Sequence, residues 1–127
     1  MKISDCLASM AFFAITPSLA CLHTYGQVHY VKDICWEVVW AGATDNGLDV
    51  CDTAWGPARI DQDGHYSLQC IGNYVYAFNR EGDAGDTAWY SNGIHAFSFT
   101  QDPLFVQGTL TPQGADYQWQ TYNFNCP

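Results

Sequence analysis

The feature that most constrains this chain is the spacing of its turn signals. Asn46-Gly47, Asp63-Gly64, Gly72-Asn73 and Asn92-Gly93 punctuate it at short intervals. Gly and Asn tolerate the positive φ of tight hairpin turns, and the runs between them alternate with a period of two, the mark of half-buried strands. Thr24 to Val31 sets Tyr25, Gln27 and His29 against Gly26, Val28 and Tyr30, and Ile34 to Ala41 sets Trp36, Val38 and Trp40 against Cys35, Glu37 and Val39. Leu48 to Cys51, the hairpin arms around Asp61 to Gly64, Tyr74 to Asn79, Thr87 to Tyr90, Ile94 to Thr100, Leu104 to Gln107 and Tyr117 to Phe124 complete the set. No stretch keeps a 3.6-residue period. The pattern predicts an all-β domain of about seven or eight short antiparallel strands, a β-sandwich or a barrel.

Residues 1–20 have the form of a secretory signal: Lys2, a short apolar run from Leu7 to Ile15, a break at Pro17, and small residues at Ser18 and Ala20. The run is too short to span a bilayer. The expectation is a secreted protein with one domain over 21–127. That domain keeps five of the six cysteines, Cys21, Cys35, Cys51, Cys70 and Cys126, which export normally oxidises. Five is odd, so two bridges leave one thiol, in a monomer or in a disulfide-linked dimer. Cys21 and Cys126 sit at the two ends, and domain ends often meet, so that pair is favoured, with a second bridge among Cys35, Cys51 and Cys70. In a straight hairpin Cys70 faces Trp55, and Cys51 stands about 13 Å out of register, beyond the reach of a disulfide. Only a sharp bend at Gly56-Pro57 would bring Cys51 and Cys70 together.

Aromatic residues are 16% of the chain and charged residues 13%, the balance of a folding chain. The net charge is −9, and residues 1–20 carry one Lys and one Asp, so the remainder holds all of it. Such a surface repels nucleic acid and anionic membranes, and neither is expected as a partner.

The hairpin Ile60-Asp-Gln-Asp-Gly-His-Tyr-Ser-Leu68 is similar to the T-D-x-D-G-x-Y-x-L hairpin of transthyretin-like and carboxypeptidase-regulatory-like domains. Gly26-Gln-Val28 resembles their opening G-x-V strand, Trp40-Ala-Gly-Ala43 their G-A-x-V segment, and Gly72-Asn-Tyr74 their later G-x-Y. The resemblance covers about half of the domain, with Ile60 in place of the usual Thr. It implies an Ig-like sandwich serving as an accessory or binding module, and it transfers no catalytic residues. Size, leader and cysteines also resemble those of small proteins secreted by filamentous fungi, including effectors delivered to plant hosts.

The chemistry legible in the chain favours binding over catalysis. Asp61 with Asp63, or Asp83 with Asp86, could act as paired acids, but all four sit in glycine-containing turns where Asp is expected anyway. Asp61-Gln-Asp63-Gly64 is half of a calcium loop without its later ligands. His23, His29, His65 and His95 are scattered, there is no Gly-x-Ser-x-Gly, and the cysteine spacings do not suit zinc; no cofactor or metal is expected. Asp52-Thr-Ala-Trp55 recurs as Asp86-Thr-Ala-Trp89, which predicts two equivalent hairpins, two related ligand sites, or two buried Trp anchors. Trp55, Trp89, Tyr90 and Trp119, with Asp86 beside them, are the candidate ligand-binding residues, because flat rings and nearby polar groups suit both sugars and protein hot spots. The expected function is a non-catalytic, effector-like binding protein recognising a host protein or cell-wall component through an aromatic, acidic surface. A lectin-like carbohydrate module is the alternative, and a small secreted hydrolase comes third.

Overall fold

The computed structural model describes residues 21–32, 35–79 and 86–124. The leader expected over 1–20 falls outside them, as do Asp83 and Cys126. Ten strands form among the described residues: β1 (Leu22–Val31), β2 (Cys35–Asp45), β3 (Leu48–Asp52), β4 (Arg59–Ile60), β5 (Tyr66–Ser67), β6 (Val75–Phe78), β7 (Asp86–Ser91), β8 (Ala96–Gln101), β9 (Leu104–Phe105) and β10 (Gly114–Asn123), with one 3-10 turn at Thr53–Trp55. They make an all-β sandwich of two antiparallel five-stranded sheets, in the orders β3-β2-β1-β10-β9 and β4-β5-β6-β7-β8. The count exceeds the expected seven or eight but corresponds segment by segment to the runs named above, with both arms of the Asp61–Gly64 hairpin counted; β4, β5 and β9 are only two residues long. Immunoglobulin-like sandwiches are joined by Greek-key connections; here consecutive strands are neighbours within each sheet, and β10 lies beside β1.

Local chemistry explains the turns. Asn46 and Gly47 take φ of 52° and 84°, the paired positive values that match the twist of a two-residue hairpin. In the next hairpin one oxygen of Asp61 accepts from the N–H groups of Asp63 and His65, both at 2.9 Å.

The disulfide runs between Cys51 and Cys70, the pair that a straight hairpin excludes. The 3-10 turn, capped by Asp52 accepting from the Ala54 N–H at 2.8 Å, leads into Gly56-Pro57, and β4 pairs with β5 over only two residues. That break turns the chain where it was expected to run straight. Cys51 and Cys70 then bridge opposite each other, flanked by main-chain bonds from Asp52 N–H to Gln69 C=O and from Ile71 N–H to Val50 C=O, at 3.0 and 2.9 Å. One edge of the sandwich is thus stitched by backbone as well as sulfur. Cys21 is also disulfide-bonded; its expected partner, Cys126, lies outside the described residues.

The core between the sheets holds Leu22, Val28, Ala41, Ala43, Val50, Leu68, Tyr76, Phe78, Ala88, Tyr90 and Trp119. Its polar atoms form a chain: Trp119 Nε1–H donates to Tyr76 Oη at 3.2 Å, and Tyr76 donates to Oε1 of buried Gln101 at 2.7 Å. Pairing lowers the desolvation cost of the atoms it joins, while Gln101 Nε2 and Thr24 Oγ1 are buried without a hydrogen-bond partner among the described residues.

A second link crosses the sheets where Tyr90 donates to Asp45 at 2.5 Å. Burial, then the Asp45 hydrogen bond and charge, push the Tyr90 phenol far above its ordinary 10.0; burial and then Asp45 also raise Tyr74. The folded state therefore holds these protons more tightly than the unfolded chain does. Their contribution is complete below about pH 10 and is lost as pH climbs through the folded-state values. Urea-unfolding stability is expected to decline above about pH 10, and Tyr90→Phe should flatten the decline. An equally steep profile in that variant would remove Tyr90 as its origin.

Candidate functional site

The five residues expected to bind ligand do not share one surface. Trp119 is 3% exposed and Tyr90 4%, both core residues. Trp119 faces inward because Gly26 opposite it on β1 has no side chain; a Cβ there would stand 2.5 Å from the indole ring. Trp89 lies on the outer face of the β4–β8 sheet, stacked on His65 with ring centroids 4.1 Å apart. Trp55, 48% exposed, lines a cleft of about 580 Å³ with Val39, Pro57, Ile60 and Glu37, beside the 3-10 turn. Asp86 begins β7. The repeated tetrapeptide adopts two conformations, a 3-10 turn in its first copy and strand β7 in its second. It therefore makes neither equivalent hairpins nor a matched pair of sites.

Asp61 and Asp63 lie with His65 so that one ligand-type atom from each falls within 4.8 Å of the others. One Asp61 oxygen is already committed to closing the turn. The pair reads as turn chemistry, as Asp in such a loop should.

The aromatic surface assembles elsewhere, on the outer face of the β3-β2-β1-β10-β9 sheet. Register places three rows across it: Thr44, His23 and Tyr122; Gly42, Tyr25 and Gln120; Trp40, Gln27 and Gln118. His23 stacks on Tyr122 at 4.2 Å with planes 4° apart, sits 4.9 Å from Tyr25, and Tyr25 lies 6.3 Å from Trp40. The rings form a diagonal ladder from β10 to β2. Gly42 makes it possible, because the Tyr25 ring lies across that residue and a Cβ would stand 2.7 Å from its hydroxyl. Next to the ladder, Gln118 Nε2 donates to Gln27 Oε1 at 2.7 Å, and Tyr122 Oη donates to Gln120 Oε1 at 3.2 Å.

The alternation of β2 predicts Trp40 on the same face as Trp36 and Val38. A bulge corrects this: Val38 pairs with Val28 and Trp40 with Gln27, which leaves Val39 unmatched. An unmatched residue shifts the side-chain phase. Trp36 and Val38 pack on the core, Trp40 turns out at 40% exposure, and Ala41 and Ala43 take the interior positions.

Acidic groups rim the face. Burial, then Asp52 and Asp49, raise the Tyr25 phenol, and on the far side His29 Nδ1 meets Asp116 Oδ1 at 2.6 Å with Glu37 opposite His29 on β2. Among the described residues the only Lys and Arg are Lys32, just past the end of β1, and Arg59, in the other sheet. A groove of about 380 Å³ is lined by Trp40 of β2, Gln118 and Gln120 of β10, Leu104 and Phe105 of β9, and Asp102.

Fold and face together define a disulfide-bonded β-sandwich that presents stacked rings and carboxamides on one sheet. Comparison with protein-family models, with curated proteins and with solved structures finds no match.

Proposed function

We propose that the chain is a secreted, non-catalytic binding protein of the effector-like kind. It recognises a host or cell-wall component through the aromatic, acid-rimmed outer face of the β3-β2-β1-β10-β9 sheet. The observation that carries this is the ladder Tyr122–His23–Tyr25–Trp40, four rings held in contact on the outside of a sheet whose inner face is already packed. Trp40 and Tyr122 are exposed at the two ends of the ladder, and apolar surface gathered on one face with a polar rim is typical of interaction sites. The Cys51–Cys70 bridge supports an oxidising compartment, and the likeness of the Ile60–Leu68 hairpin to transthyretin-like accessory domains fits a binding role.

Retention on insoluble wall preparations from plant and fungal cells tests the assignment. Tyr25→Ala and Trp40→Ala should each cut retention about tenfold, the size of a lost aromatic contact, while Trp89→Ala on the opposite sheet should leave it unchanged. Retention indifferent to both platform substitutions would overturn the choice of face.

A further inference from the structure

We infer that the component recognised is an uncharged, linear glycan, laid along the groove from Trp40 toward Leu104. This rests on the proposed role of the face and adds the class of ligand.

Three features select it. The groove is lined by residues of β2, β10 and β9, three strand spacings from first to last because β1 lies between β2 and β10. At the usual strand spacing that is about 14 Å, longer than a single sugar ring, so a chain fits better than a chain end. Two amides, Gln118 and Gln120, line it. Each primary amide carries two donors and an acceptor with two lone pairs; Gln118 gives one donor to Gln27 and Gln120 accepts once from Tyr122, so the two retain donors and acceptors for vicinal hydroxyls. Of the ring ladder, Trp40 lines the groove and offers a flat apolar face to the C–H face of a pyranose ring.

Charge narrows the class. Asp102 lines the groove, Asp49 and Asp52 lie near Tyr25, and neither Lys32 nor Arg59 lines it, so a polyanion such as polygalacturonate would meet repulsion with no compensating cation among the described residues. A protein partner is less well matched, because hot spots sit in desolvated pockets, whereas this face alternates rings with solvated amides.

Calorimetric titration with hexasaccharides of cellulose, mixed-linkage glucan, β-1,3-glucan, xylan, mannan and chitin, and with polygalacturonate, tests the inference. At least one uncharged series should bind, more tightly as the chain grows past a disaccharide. Trp40→Ala should weaken that binding about tenfold and Gln118→Ala several-fold. Both side chains are exposed, so the variants should keep the wild-type melting temperature, and Trp89→Ala serves as the unaffected control. Three results would overturn the glycan: tight binding of polygalacturonate, oligosaccharide binding indifferent to Trp40→Ala and Gln118→Ala, or no oligosaccharide binding while wall retention still depends on Tyr25. The last would leave the face in place and point to a protein ligand. Wall retention independent of Tyr25 would instead remove the face itself.

Discussion

Trp119→Ala is expected to cost about 3–5 kcal/mol of folding stability, the range for emptying a large aromatic site in a core. The indole packs edge-on against Phe78 with centroids 5.0 Å apart, lies over Gly26, and donates to Tyr76. Its removal opens a void and takes a donor from a phenol with no exposure of its own. Urea unfolding of the variant measures the loss. The companion Gly26→Ala should also destabilise, by about 1–3 kcal/mol, since the added methyl meets the indole and the Trp40 carbonyl. A cost under about 1 kcal/mol for Trp119→Ala would mean that the residue is not the core anchor described, and would reopen a surface role for it.

Removing the Cys51–Cys70 bridge is the second large effect. The two residues are 19 apart in sequence, and a loop of that size contributes about 3 kcal/mol through the entropy of the unfolded chain. The double variant Cys51→Ala, Cys70→Ala avoids new thiols and should lose that amount in urea. Amide exchange should locate the loss, with protection falling first at Asp52 and Ile71, whose N–H groups bond across the seam. Uniform loss throughout both sheets would mean that the bridge acts on the unfolded chain alone and does not hold this edge together.

The all-β class and most strand positions were legible because period-two alternation and Gly/Asn turns are local signals. β1 and β10 could be read residue by residue: Tyr25, Gln27 and His29 share a face as expected, and in β10 the alternation of Gln118, Gln120 and Tyr122 with Tyr117, Trp119 and Thr121 already places Trp119 opposite the glutamines. At Trp119 phase outweighs residue type, and the side chain is buried. Two features were not local. The disulfide depended on how sharply the chain bends after Trp55, and the outward turn of Trp40 depended on one unmatched residue in a pairing that no single strand encodes. The repeated Asp-Thr-Ala-Trp teaches the same lesson. Ala54 is exposed in a turn while Ala88 has no exposure in β7, so neighbours, not the tetrapeptide, decide its conformation.

The unmatched Val39 has a consequence for how such a face can arise. β2 is read in two frames, one carrying Trp36 and Val38 to the interior and the next carrying Ala41 and Ala43 there. Deleting one residue at the junction would exchange every downstream interior position with its surface neighbour, so the strand should tolerate substitution at Val39, which is 51% exposed, far better than loss of that residue. A change in length at one site can therefore move a tryptophan from core to surface while its identity stays the same. In a lineage of such sandwiches, insertions in paired strands would be a source of new recognition surfaces that comparison of residue types alone would overlook.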